Sequence, residues 1–304
     1  TLVTALFYQF RNILFKLGSS WRLWLQPKCR NGKIAMHMMF RNEAPYLREW
    51  IDYHLSQGVD YLYLTNDGSS DNWEEVLKPY AALGLLEYED SIDNQDFYTR
   101  EEHHKNRILA KASKKYEWIA FLDSDEFWYS ENGYREVLGK APKNASGLVF
   151  NWLIYGTAHV ESLQEGDLLL EKMNRRFPDG HEEHYQIKSV LRSGFGAAFF
   201  NKNPHYPNYS PWTPLFWSDG QRFHPGDRRF LLKPAHVKHF WYRSEQFFKS
   251  VKRPRRIFFE GQERSSILED WYYRRSNAVL DPFPEKDLDR LRGFRREFEQ
   301  KRKD

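Results

Sequence analysis

From residue 33 the chain alternates short apolar runs with amphipathic stretches, and this rhythm sets the fold more than any other feature. KIAMHMMF (33–40) reads as a buried strand, and APYLREWIDYHLSQ (about 44–57) reads as a helix stopped by Gly58. YLYLT (61–65) is a second strand, NDGSSDN (66–72) a turn with a helix cap, and a helix follows over about 73–82, ending near Gly84. LLEYE (85–89), a helix over about 98–115 and a strand at WIAFLD (118–123) continue the pattern. Strands alternating with helices of this length predict an α/β fold, a mainly parallel sheet with helices on both faces. Ligands of such sheets bind beyond the carboxyl ends of the strands.

Three polar clusters fall at those ends: RNEA (41–44), NDGSSD (66–71) and DSDE (123–126). In extended chain Asp123 and Asp125 point the same way with Cα atoms about 6.5–7 Å apart, and two ionised carboxylates there repel by roughly 2.4 kcal/mol. The pair needs a counter-charge. A divalent cation, Mn²⁺ or Mg²⁺, suits hard oxygen ligands, with water and phosphates completing its shell; the alternative is that the acids cap the next turn or pair with Arg or Lys. Glu126, adjacent to the pair, anchors the turn. In NDGSSD, Ser69, Ser70 or Asp71 can cap the next helix, and a carboxylate there can accept an N–H of a base. The loop lacks the glycines of a P-loop or of a dinucleotide fingerprint. In REEHHKNRILAKA (100–112), Arg107 or Lys105 can reach a diphosphate, while Lys111 reads as a solvated residue.

The second half is less regular. SGLVFNWLIYG (146–156) reads as a strand, and 168–176 and 185–192 fit helix or strand equally. Residues 203–227 are rich in Pro, aromatics and turn formers and read as a long functional loop. HVKHFWY (236–242) is strand-like, a helix starts near Ser244, and the tail from about 285 is charged with a helical pattern. Aromatics reach 17% of the chain, a level suited to a sugar-handling cleft or a membrane surface. The net charge of +4 favours anionic partners such as nucleotides, whereas basic residues interleaved with acids argue against nucleic acid. One cysteine, Cys29, excludes a disulfide framework within the chain and fits a reducing compartment.

Taken together, these residues resemble the nucleotide-sugar glycosyltransferases of the GT-A fold. RNEAPYLREWIDYHLSQGVDYLYLTNDGSSDN is similar to the opening of the family 92 and family 2-like group, and EWIAFLDSDEFW to its W-x-x-x-x-D-x-D-E-F signature. NWLIYG resembles the group's W-x-x-[FY]-G element and HVKHFWYRSEQFFKSVKR its closing pattern. The resemblance covers about residues 33–255 and is poor over 157–235. It implies a GT-A domain over 33–255, with a nucleotide-binding half (33–130) and an acceptor half (131–255), between an N-terminal basic amphipathic segment (1–32) and a C-terminal helical extension (256–304). Arg41, Asn42, Glu43 and Asp67 would line the nucleotide. Asp123, Asp125 and His239 would hold Mn²⁺ or Mg²⁺ against the diphosphate. Arg107, Lys188, Arg243 and Lys249 would neutralise phosphate, and Trp152 would pack against sugar or acceptor. The base for the acceptor hydroxyl would be Glu182, Glu183 or Asp219, with Trp212, Phe216 and Trp217 available to stack on sugar or to cover the core.

The function implied is metal-dependent transfer, with inversion, from a nucleotide-sugar (UDP-sugar expected) to a glycan or lipid-linked acceptor in surface polysaccharide synthesis. Two rivals use the same residues: a metal-dependent nucleotidyl- or phosphotransferase, and a non-catalytic membrane-surface or glycan-binding protein on this scaffold. The apolar, aromatic and basic start (residues 1–30) carries no acids. It reads either as an amphipathic helix lying on a membrane or as a helix packed on its own domain. The first reading makes a cytoplasmic enzyme, peripheral at the inner membrane face. Deleting residues 1–30 is then expected to move the protein from the membrane pellet to the supernatant on sedimentation, and full retention in the pellet would refute it.

Overall fold

Six of the seven residues of strand β1 (Ile34–Phe40) are buried, because it is apolar on both faces and lies inside the sheet. The computed structural model describes residues 28–92, 95–200, 203, 205–207, 213–254, 273 and 275–303, so the expected N-terminal segment lies almost entirely outside the described residues, as does Trp212. Helix α1 (Ala44–Ser56) follows with Pro45 in its first turn and ends before Gly58, whose φ of 99° only glycine adopts at low cost. Strand β2 (Tyr61–Asn66), helix α2 (Trp73–Ala82), strand β3 (Leu86–Asp90), helix α3 (Phe97–Ala112) and strand β4 (Trp118–Phe121) complete the regular half. Strands β3, β2, β1 and β4 lie side by side in that order, all parallel. Growth of the sheet changes direction at β1, which pairs with β2 on one side and β4 on the other. A crevice opens at such a switch point, and the loops after β1 and β4 form its edges.

Beyond β4 the sheet is mixed. Strand β8 (Ile187–Arg192) runs antiparallel to β4 and to β6 (Gly147–Ile154); β10 (Ala235–His239) is parallel to β6, and β5 (Glu126–Ser130) closes the order antiparallel to β10. Strand β9 (Leu215–Trp217) pairs with β6, giving nine strands. Five of these eight pairings are parallel, as the rhythm of the first half predicts. Several expectations need correction. The strand expected over 118–123 stops at Phe121, the backbone turns at Ser124 and Asp125, and β5 restarts at Glu126. The ambiguous 168–176 holds a short helix, α5 (Leu169–Lys172), and strand β7 (Arg175–Arg176), paired with β11 (Val279–Leu280). The long loop contains β9, with Trp217 fully buried, so Trp217 belongs to the core and offers no face to a sugar.

The charged tail forms helix α7 (Glu285–Lys301), which buries Leu288, Leu291 and Phe298 and stacks Phe298 on Tyr80 with centroids 4.1 Å apart. Arg295 Nε donates to Asp52 of α1 at 2.6 Å, so this helix is fixed against the sheet's helical layer. Opposite it, the buried Glu49 of α1 accepts the backbone N–H groups of Leu169 (2.7 Å) and Leu170 (2.9 Å), one on each oxygen. Burial pushes this carboxyl up to about 7, while the two N–H donors pull it the other way. An amide can answer only one of those donors. Glu49→Gln is therefore expected to destabilise the fold by about 1–3 kcal/mol, read as a lower urea midpoint, through one unsatisfied buried N–H.

Candidate active site

The acidic turn is held from three sides. From α1, Trp50 Nε1 donates to the carbonyls of Asp123 (3.1 Å) and Glu126 (2.9 Å). The Glu126 carboxylate accepts the N–H of Asp123 at 2.8 Å, closing the turn on itself. From the end of β10, Phe240 N–H donates to Asp125 O at 2.7 Å. With the backbone so fixed, both aspartates line a cavity of about 540 Å³ beyond the carboxyl ends of the strands. Glu126 lies behind them, fully buried, as the anchor.

Each aspartate already has a cationic partner from the chain. Lys188, on β8, places Nζ 2.7 Å from Asp123 Oδ2 and 3.2 Å from Glu126 Oε2. Lys252 places Nζ 2.6 Å from Asp125 Oδ2, and His239 Nε2 lies 3.3 Å from Asp125 Oδ1. Burial opposes the charge on both acids. Lys188 and Lys105 outweigh it at Asp123, Lys252 and His239 at Asp125, and both carboxyls stay below the usual range. Burial opposes the charge on Lys188 too, and Asp123 with Glu126 raises it; burial and Asp123 push Glu126 up, against Lys188. The counter-charge required by the paired acids is thus supplied here by two lysines. Among the described residues no three His, Cys, Asp or Glu side chains converge as a complete metal site. Asp125 and His239 nevertheless face each other on the wall with Asp123 beside them, a partial oxygen and nitrogen donor set. That set fits a divalent cation that takes its other ligands from phosphate and water.

The loops after β1 and β2 are laced to one another. Asn42, at φ 54°, accepts the Ser70 N–H (2.7 Å), and its own N–H donates to Ser69 Oγ (2.9 Å). Asp71 accepts the N–H of Ala44 at 2.8 Å and so caps α1, not α2, which begins without a side-chain cap. Asp67 lines the cavity and binds Arg100 through both oxygens at 2.8 Å each. Arg41 and Glu43 also line it, and Phe97 and Tyr98 at the start of α3 add exposed rings at its edge. From the second half of the chain the lining adds Trp152, Phe177, Glu183, His205 and Trp241.

Not every expected residue reaches this cavity. Arg243 is fully buried behind it, paired with Glu43 (2.6 Å) and lying over Tyr46, so it supports the wall without forming it. Asn42 holds the loops together, and Arg107 pairs with Glu89 away from the lining. Lys249 is largely exposed and lies 3.7 Å from Glu245; its expected place at the site belongs to Lys252. Asp219 pairs with Arg229 at 2.7 Å outside both cavities described, and Glu182 lines only a second, adjoining one. Glu183 lines both. Sequence reasoning missed His205, Lys252 and the Phe97–Tyr98 pair. The only signals were the aromatic loop and the basic run after Ser244.

Residues 34–147 match the family described as Glycosyltransferase family 92. A family 92 protein of Arabidopsis thaliana is 31% identical over 97 residues, 32% of this chain and 16% of that protein. One from Oryza sativa subsp. japonica is 33% identical over 89 residues, 29% of this chain and 15% of that protein. The matched segments thus span about a sixth of the length of these relatives. Among solved structures, S. aureus TarS 1–349 is 13% identical, covers 79% of this chain and 69% of its own, and has a TM-score of 0.38. Glucosyl-3-phosphoglycerate synthase from Mycobacterium tuberculosis, in complex with Mn²⁺, uridine diphosphate and glucosyl-3-phosphoglycerate, is 16% identical, covers 53% of this chain and 57% of its own, and has a TM-score of 0.28. The resemblance to family 92 read from the motifs therefore holds over residues 34–147, the segment that builds the loops after β1 and β2 and the acidic turn.

The Lys252–Asp125 contact makes the lysine a competitor of any cation offered to that carboxylate. Lys252→Met is expected to tighten Mn²⁺ binding in the absence of nucleotide by about tenfold, or ~1.4 kcal/mol, as measured by the free-Mn²⁺ EPR signal. Unchanged or weaker Mn²⁺ binding would show that Asp125 is not where the cation binds.

Proposed function

We propose that the chain is a metal-dependent glycosyltransferase that takes a sugar from a nucleotide-sugar, a UDP-sugar being the expected donor, and passes it to a glycan or lipid-linked acceptor with inversion. One observation carries this reading. A single cavity is lined by the loops after β1 and β2, by the acidic turn after β4, and by aromatic rings and a carboxylate, Glu183, from the second half of the chain. The family 92 match over residues 34–147 covers the first three of these and supports their assignment to the donor.

On the donor wall, Asp67 and Glu43 are acceptors for base and ribose, and Phe97 and Tyr98 offer ring faces to the base. Asp125 and His239, with Asp123, would hold Mn²⁺ or Mg²⁺. When bound, the cation offsets the charge that builds on the leaving diphosphate. Lys188 and Lys252, released in part from the acids, supply positive charge at the same place. Beside the acidic turn Trp152 offers its ring to a sugar face, and its buried Nε1–H meets no acceptor among the described residues. Inversion requires a base opposite the leaving group, and Glu183 is the one of the three candidate acids that reaches this cavity.

Calorimetric titration of UDP, GDP and CMP, each with and without Mn²⁺, into wild type and Asp125→Ala tests the reading. One nucleotide is expected to bind in a Mn²⁺-dependent way, with affinity lowered at least about tenfold in the variant. Binding that ignores both Mn²⁺ and the substitution would assign the counter-charge to the lysines alone. Failure of every nucleotide would refute the transferase.

A further inference from the structure

A second cavity of about 730 Å³ adjoins the first, and Glu183 and His205 line both. We propose that it binds a neutral oligosaccharide acceptor and that Nε2 of His205 accepts the hydrogen bond of an acceptor hydroxyl next to the one that is to be glycosylated. The assignment of the acceptor rests on the transferase reading above; the assignment of the cavity to a neutral glycan does not.

The state of His205 follows from its contacts. Its Nδ1 lies 3.1 Å from the carbonyl of Ile187, which can only accept, so Nδ1 carries the proton. Nε2 then holds a lone pair and meets no hydrogen-bond donor among the described residues. The backbone N–H of His205 is fixed by Asn203 Oδ1 at 2.9 Å, and its ring packs against Trp152 with centroids 5.1 Å apart. The imidazole is therefore an oriented acceptor at the seam of two cavities. Burial, Lys188 and Lys105 push its pKa down to about 3, so it stays neutral, positions the hydroxyl and does not take its proton.

The surroundings select the ligand class. The volume lies within the roughly 300–1,000 Å³ of small-molecule sites. Tyr185 and Tyr206 contribute ring surface, and Asn203 and Gln186 contribute amides. Arg228 lies over the Tyr185 ring at 4.7 Å, and Asp227 accepts from Trp217 Nε1 (3.2 Å) and His224 N–H (2.8 Å). The carboxylates of Glu182, Glu183 and Asp227 on the wall repel an anionic glycan, while the guanidinium of Arg228 on the same wall repels a cationic one. Rings, amides and hydroxyl-binding groups beside charges of both signs suit a neutral polyol. In the transfer step the oxygen of the neighbouring hydroxyl, whose proton is directed at Glu183, bonds to the anomeric carbon. The bond from that carbon to the diphosphate oxygen breaks, its electron pair leaves on the diphosphate, and the hydroxyl proton passes to the Glu183 carboxylate.

Calorimetry and saturation-transfer NMR with cellotriose, maltotriose and chitotriose, on the full chain, test the proposal, with trigalacturonate and the glucosamine trimer as charged controls. At least one neutral trisaccharide is expected to bind, and neither charged trimer. His205→Phe is expected to weaken binding about tenfold, the effect of one lost hydrogen bond of ~1.4 kcal/mol. His205→Gln, whose amide oxygen can replace Nε2, should stay within about threefold of wild type. Glu182 lies exposed at the rim, so Glu182→Trp should fill the cavity without disturbing the fold and abolish trisaccharide binding. The proposal is overturned if no neutral trisaccharide binds, if a charged trimer binds better, or if binding survives both His205→Phe and Glu182→Trp. UDP with Mn²⁺, titrated into the same proteins, separates the two readings. Trisaccharide binding without nucleotide binding sinks the transferase and leaves the cavity assignment standing; the reverse result does the opposite.

Discussion

The indole N–H of Trp50 reaches from α1 to the carbonyls of Asp123 and Glu126, and the geometry of the site rests on that bridge. A turn joining β4 to β5 in the middle of a sheet leaves backbone groups without ladder partners, and buried groups of that kind must be answered locally. Trp50 answers two carbonyls, the Glu126 carboxylate answers the Asp123 N–H, and Phe240 answers the Asp125 carbonyl. Helix α1, strand β5 and the end of strand β10 are thereby fixed to one short segment. The two aspartate side chains are left to face the cavity. The third acid of the cluster is spent on the backbone, and for this reason the turn carries three carboxylates.

The same segment organises the charges. Lys188 from β8 stands between Asp123 and Glu126, and Lys252 and His239 meet Asp125. Behind them the buried Arg243 joins Glu43, in the loop after β1, to Ser124 in the acidic turn (3.3 Å). Asn42 and Arg243, at the two ends of this span, both have positive φ without being glycine. Backbone held in that region costs of order 1–3 kcal/mol and persists where its surroundings over-determine it. Several atoms in the network, Glu43 Oε2, Arg243 Nε and Nη1 and Glu126 Oε1 among them, are buried without a well-directed hydrogen bond. A network that is strained and incompletely satisfied gains most when a ligand supplies new partners.

The regular half was legible because β1, β2 and β4 are buried on both faces and α1 and α2 end at glycines. The helix expected over 73–82 is found there, and β1, β2 and β3 fall within a residue or two of their expected spans. The acidic segment misled in detail because an apolar run ending in acids looks like one strand, whereas the partners that end it, Trp50 and Phe240, are 73 and 115 residues away. Lys249 was expected at the phosphate from the family resemblance, which takes no account of local winding. Residues Phe248–Lys252 instead form a π-helical turn, whose wider winding changes which side chain faces inward. His205 sits in a Pro- and aromatic-rich stretch without periodicity, and its role follows only from the Ile187 carbonyl and the Trp152 ring beside it.

The two walls of the cleft are built on different physical terms. The lining proposed for the donor stands on the parallel strands β1, β2 and β4, so a short segment with strong periodicity specifies it, and the family 92 match coincides with that segment. The lining proposed for the acceptor is assembled from a 3₁₀ turn at Glu182–Tyr185, the start of β8 and pieces of the long loop, all outside the match. Loops carried by a rigid sheet can change residue by residue without disturbing the ladder beneath them. Glu183 and His205, which line both cavities, are where the two kinds of construction meet. On the proposed reading, a change of acceptor then needs no change at the acidic turn. The residues proposed to meet the acceptor are the ones least constrained by the fold, so the physics that makes the parallel half readable from sequence leaves the loop-built lining to be read from structure.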